Sequence, residues 1–260
     1  MPFTLSHAAA ALPLRHLLRG AAVFPALVIG CFIPDVPYFL PEPFCNINAH
    51  YFPGLVFFGI PLGWMIYALW FGVLLEPSAA LLPRRYGCLL SASALQHPLF
   101  ARAWCVTLSL LAGAVSHIVW DAFTHRRGLV VHAWPALAQP VLHVGAHALP
   151  PYFVFQHGST VVGILFLVLH VRRRLRQVTT TSAITESTPQ LPAKCKIAVA
   201  AVLSVATAGL VWCTFSAADA PRFSAYNFVC CSISAGAAMT VIYALGWHVC
   251  YQRGGRHKRQ

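Results

Sequence analysis

The chain has 260 residues, of which 58% are hydrophobic and only 9% charged, and its mean hydropathy is +0.67. Soluble domains carry roughly a quarter of charged residues, so this composition excludes an ordinary soluble enzyme and points to an integral membrane protein. The net charge of +12 does not mark a nucleic-acid binder, because the basic residues sit in short clusters between apolar runs, as in cytoplasmic loops.

The opening stretch, MPFTLSHAAAALPLRHLLRG, has no positive charge ahead of its apolar run and no cleavage signal, so it reads as part of the membrane fold and not as a removed leader. A short helix over residues 6–18, a turn at Arg19-Gly20 and a return over residues 21–33 would make two arms of similar length, at about 1.5 Å per residue. Such a hairpin would bring His7 back toward Asp35. The apolar region 21–40 is broken by IPDVPYFLPEP, where proline ends the helix near Ile33 and leaves Asp35 at its mouth.

Crossing the hydrocarbon takes about 20 apolar residues, and residues 54–75, 103–123, 152–171, 196–218 and 228–251 qualify. With the first region this predicts an all-α polytopic membrane protein of about six apolar regions. Positive charge orients them. Arg15, Arg19, Arg84, Arg85, Arg102, Arg172 to Arg174, Arg176 and Lys194 would face the cytoplasm, as would Arg253, Arg256, Lys258 and Arg259 at the end. The alternate connections are poorer, with Arg126 and Arg127 in one and Arg222 in another. Both termini are therefore expected inside. The Thr- and Ser-rich stretch TTTSAITESTPQLP reads as a linker. It divides the chain into a polytopic domain at 1–177, a cytoplasmic linker at 178–195, a two-helix structural appendix at 196–251 and a basic tail at 252–260.

Only six residues are Asp or Glu, so an acid within or beside a span calls for a partner. In SHIVWDAFTH, His117, Asp121 and His125 are four residues apart and share one helical stripe. Imidazole with carboxylate suits zinc or another divalent first-row metal, although a hydrogen-bonded structural pair fits the same spacing. The THRRG ending favours a helix end near Thr124, which displaces His125 from the ideal stripe. Asp35, as a potential site acid or a simple turn carboxylate between prolines, and His50 fall on the same predicted outer face. Gln156 and His157, at the start of the fourth span, are within reach of it. His16, His97, His132, His143, His147, His170, His248 and His257 read as loop or interfacial residues. The nine cysteines include no Cys-x-x-Cys pair and read as structural, while Trp64, Trp70, Trp104 and Trp120 read as interface anchors.

The ordered segments MPFTLSHAAAALPL, LVIGCFIPDVPYF, HYFPGLVFFGIPLG, AGAVSHIVWDAFTHRRGLVV and YFVFQHGSTVVG resemble an uncharacterised bacterial membrane family, the domain-of-unknown-function family 4184, over roughly residues 1–174. That family is distantly similar to membrane-bound metal-dependent hydrolases, which pair an early His, a Pro-Asp motif, a further His and a Ser-His-x-x-x-Asp motif. The resemblance implies His7, Asp35, His50, His117 and Asp121 as ligands or catalytic groups, and a bacterial cytoplasmic (inner) membrane as the location. This chain departs from the family pattern at Gly59, where an acid is expected, and at Tyr51, where a Thr is expected.

The resulting expectation is a metal-dependent hydrolase of an ester or phosphodiester in a lipid or amphiphilic substrate at the membrane surface. A divalent metal, zinc foremost, would be held by His7, Asp35, His50, His117, Asp121 and His125. Asp35 and Asp121 would act as catalytic carboxylates, and Arg126 and Arg127 would bind an anionic headgroup. A non-catalytic membrane scaffold, and a transporter that couples flux to ions through the same acids, are the competing readings.

Overall fold

The computed structural model describes residues 4–95, 103–145, 147–178, 190–216 and 224–257. Five helices are long and apolar enough to cross a membrane: Phe52–Leu81, Ala103–Ala133, Pro151–Gln177, Ala193–Ser216 and Ala225–Cys250. Each matches one of the long apolar runs of the sequence. The first apolar region is different, being built of short pieces: a 3-10 helix Thr4–Ala10, an α-helix Ala11–Leu18, a 3-10 turn Arg19–Ala21, an α-helix Phe24–Gly30 and a 3-10 helix Ile33–Phe39. None of these pieces alone reaches the length of a span. The described residues are helical, as expected, apart from turns and one short antiparallel strand pair, Leu142–Val144 with His147–Leu149.

The chain divides into two compact units. The first comprises Met1–Pro37, Asn46–Tyr67 and Arg102–Arg173 and contains every acid and histidine of the predicted stripe. Its core is the pairing of the Phe24–Gly30 helix with the long Ala103–Thr124 helix. Small residues set that distance. A Cβ on Gly30 would collide with the Leu110 carbonyl, and one on Gly113 would collide with the Leu27 carbonyl, so the two backbones touch where only hydrogen stands. The Val23 N–H donates to Ser109 Oγ at 2.9 Å, fixing the register of the pair.

The helix that begins at Phe52 joins this core by a similar device. Gly59 and Gly63 both lie against Ile33, where an added Cβ would come within 2.8 Å and 2.5 Å of its side chain. A π-helical turn, Leu55–Gly59, precedes Pro61 and absorbs the loss of that residue's N–H. Gly59, where the family resemblance leads one to expect an acid, is thus a packing position in this chain.

The second unit comprises Tyr38–Cys45, Ala68–Ala101 and Arg174–Gln260. Its polar contacts repair helix backbone. Pro77 supplies no N–H to the Val73 carbonyl one turn earlier, and His248 Nε2 lies 3.0 Å from that oxygen instead, while the Tyr243 hydroxyl donates to the Pro77 carbonyl at 3.2 Å. His248, which the sequence reading put in a loop or at the interface, is therefore a helical residue that partners a backbone carbonyl. Ile197, Val202, Val205 and Trp212 point outward from the Ala193–Ser216 helix, a surface that suits lipid and not water. The centre of the expected linker, residues 179–189, lies outside the described residues, as do the side chains of the basic tail and of His143 and His147, and the whole of His97.

Candidate functional site

The site is assembled in the first unit from four separate pieces of chain. Asp35 comes from the proline-flanked turn, His50 from the loop before the Phe52 helix, His117 and Asp121 from successive turns of the Ala103–Thr124 helix, and His7 from the first 3-10 helix. His117 is wholly buried, and Asp35 and His7 nearly so.

Orientation of His117 follows from the glycine contact one turn earlier. Because Gly30 and Gly113 let the backbones touch, the Cys31 carbonyl comes within 2.7 Å of His117 Nδ1. That carbonyl is available because Pro34 has no N–H, and the Asp35 N–H bonds to the Phe32 carbonyl instead at 3.0 Å. The carbonyl accepts only, so neutral His117 carries its proton on Nδ1 and presents a lone pair at Nε2. His117 Nε2 is buried with no hydrogen-bond partner, 3.3 Å from Asp121 Oδ2 and 3.7 Å from Asp35 Oδ1. A buried lone pair facing two carboxylate oxygens calls for a cation between them.

His50 completes the group. Its Nε2 lies 3.5 Å from Asp35 Oδ1 and 3.6 Å from Asp121 Oδ2. Its loop is held by the His50 N–H, which donates to Asn48 Oδ1 at 3.1 Å. Ligand atoms of Asp35, His50, His117 and Asp121 all lie within 4.8 Å of one another. Ligands around a tetrahedral zinc, with bonds of about 2.0–2.1 Å, stand about 3.3 Å apart, so the separations of 3.3–3.7 Å need little contraction to close on an ion. The second oxygen of Asp35 is occupied, since the Thr4 hydroxyl donates to Asp35 Oδ2 at 2.8 Å and leaves Oδ1 turned inward.

The other oxygen of Asp121 faces a different pair. His7 Nε2 stands 3.5 Å and His125 Nδ1 3.3 Å from Asp121 Oδ1. The His7 ring stacks on His117 with centroids 3.9 Å apart and planes 19° from parallel. Burial, and next the nearby His117, lower the His7 pKa from 6.5 to about 4 against the pull of Asp121 and Asp35, so His7 is neutral near pH 7. His125 thus joins the cluster despite lying past the helix end, because the helix closes through the His125 N–H to the Asp121 carbonyl at 3.0 Å.

The remaining predicted residues lie elsewhere. Arg126 and Arg127 follow in an exposed turn and, among the described residues, make no ion pair or hydrogen bond with the cluster. His157 is exposed and packs edge-on against Phe153 with centroids 4.1 Å apart, and the Gln156 carbonyl receives the hydroxyls of Ser159 and Thr160. The same helix touches the site's frame through Ser159, whose Oγ accepts from Trp120 Nε1 at 3.1 Å. Sequence reasoning missed Thr4 and the Cys31 carbonyl. The latter had a signal in Pro34, which frees a carbonyl three residues earlier.

No curated protein and no solved structure matches this chain. One family profile does, described as a domain of unknown function (DUF4184), and its match runs over residues 1–245, well past the motifs within residues 1–174 that carry the resemblance. On that match the chain belongs to the DUF4184 family.

Proposed function

We propose that this protein is a membrane-bound metal-dependent hydrolase that cleaves an ester or phosphodiester of an amphiphilic substrate at the membrane-water boundary. The observation that carries the reading is the buried Nε2 of His117, held by its Nδ1 bond to Cys31, with no hydrogen-bond partner and two carboxylate oxygens and a second imidazole around it. Packing alone gives no reason for that arrangement, since a scaffold would bond the ring on both sides. Two imidazoles and two carboxylates suit zinc, whose borderline softness accepts both donor types.

Asp35, His50, His117 and Asp121 hold the ion in this reading. Such an ion supplies Lewis acidity, polarising the scissile group and making water a nucleophile near neutral pH. The chain supplies the rest. Thr4 fixes Asp35, the Cys31 carbonyl fixes His117, and the carboxylates of Asp35 and Asp121 are placed to accept the proton that water gives up. Water adds to the ester, the bond to the leaving oxygen breaks, and that oxygen takes a proton. Arg126 and Arg127, one and two residues after His125 and exposed, are placed to receive an anionic headgroup.

The two arms at Ala11–Leu18 and Phe24–Gly30 act in this reading as a re-entrant hairpin that supports the site from within the bilayer. Charge bias in the later loops supports a site on the non-cytoplasmic face of a bacterial cytoplasmic membrane. Thr4, bonded to Asp35, then lies on that face as well, so a cytoplasmic Thr4 segment and an external site cannot both hold.

Metal analysis of purified protein tests the proposal. Stoichiometric zinc, manganese or cobalt in the native chain that disappears in Asp121→Asn supports it. A native protein free of metal after loading with each of these ions removes it.

A further inference from the structure

The two oxygens of Asp121 serve different partners. Oδ2 faces His117 and His50, and Oδ1 faces His7 and His125. Both Asp121 Oδ1 and His125 Nδ1 are buried atoms without a hydrogen-bond partner, although they stand only 3.3 Å apart. Their separation, and the 3.5 Å from Oδ1 to His7 Nε2, fall in the range of ligands that share one ion. The stacked His7 and His117 rings, with centroids 3.9 Å apart, carry their Nε2 atoms toward opposite oxygens of one carboxylate.

From this we infer that the centre is dinuclear: a second divalent cation is held by His7 Nε2, His125 Nδ1 and Asp121 Oδ1, with the Asp121 carboxylate bridging it to the first. The inference rests on the proposed first site and adds a division of labour. The first position has four protein donors and the second three, which leaves more room at the second for water or substrate. The open position also lies toward solvent. His125 is 32% exposed at its side chain while His117 is fully buried, and His125 leads into the exposed Arg126-Arg127 turn. The second ion is therefore the more exposed and the more readily exchanged of the two, and it stands beside the first where substrate enters.

Manganese titration of metal-free protein in detergent tests this, with metal content and electron paramagnetic resonance as readouts. Native protein is expected to take up two Mn(II) per chain and to show the spectrum of an exchange-coupled pair. His125→Ala, at a partly exposed position that tolerates truncation, should hold one Mn(II) with the six-line spectrum of an isolated ion. His7→Gln should do the same, and His125→Asn guards against a folding defect in either. One uncoupled ion in native protein, unchanged by His125→Ala, would overturn the second site and leave the mononuclear reading intact. No bound ion in native protein overturns both.

Discussion

His117 and Cys31 meet across a close helix contact of the first unit, with ring Nδ1 2.7 Å from the backbone oxygen. The bond sets the tautomer of the one fully buried histidine of the cluster, and it exists only because Gly113, one turn before His117, lets the partner helix approach. Gly113→Ala should therefore separate the helices and loosen His117. Overpacking of this kind costs about 1–3 kcal/mol, and losing such a supporting contact weakens metal binding about 10–100-fold. Thermal unfolding and metal titration of the variant in detergent read the two effects separately.

Thr4 makes a narrower case. Thr4→Val keeps the shape of the side chain and removes the bond to Asp35 Oδ2. Metal affinity should fall by about 10-fold or more while the unfolding temperature of metal-free protein changes little. Equal losses in both measurements would assign Thr4 to packing.

Chelation should destabilise the protein, since a cation that binds the folded site and not the unfolded chain stabilises the fold. At free metal about 100 times its Kd, binding contributes about 2.7 kcal/mol of stability. Dialysis against a chelator should lower the unfolding temperature, and zinc should restore it in native protein but not in Asp121→Asn.

Acid should weaken the metal-free fold through His7. Its pKa is depressed to about 4 from 6.5 by burial and by His117, so between those values the unfolded chain takes a proton that the folded chain refuses. Stability therefore falls as pH drops from about 6.5 toward 4 and, for this residue, levels off below that. The slope should be smaller in His7→Gln, measured by thermal unfolding at a series of pH values.

Gly59 is a packing position in this chain. A side chain at that position meets Ile33, whose place beside Asp35 it would disturb, so Gly59→Asp is expected to lower both stability and metal affinity. A gain in metal affinity would instead restore an acid to the ligand set.

Long apolar runs were legible because a bilayer demands about 20 of them in a row and leaves little room for irregular backbone. His117 and Asp121 were legible as a pair because helical spacing puts them on one stripe. The first 40 residues were harder. Their prolines and glycines announce breaks, yet the chain there is a series of short 3-10 and α-helical pieces whose lengths no periodicity specifies. His125 was placed in doubt by THRRG, and the backbone bond to Asp121 kept it in the cluster.

By itself the sequence determined the solvent of this protein, the position of five membrane helices and the few acids and histidines available for chemistry, since composition and period act locally. Only the tertiary structure decided which atom of each residue faces which partner. A carboxylate has two oxygens and an imidazole two nitrogens, and the choice between them is made by groups far along the chain, as Cys31 chooses for His117 across 86 residues. That choice turns a stripe of polar residues into one carboxylate with a different set of imidazoles at each oxygen.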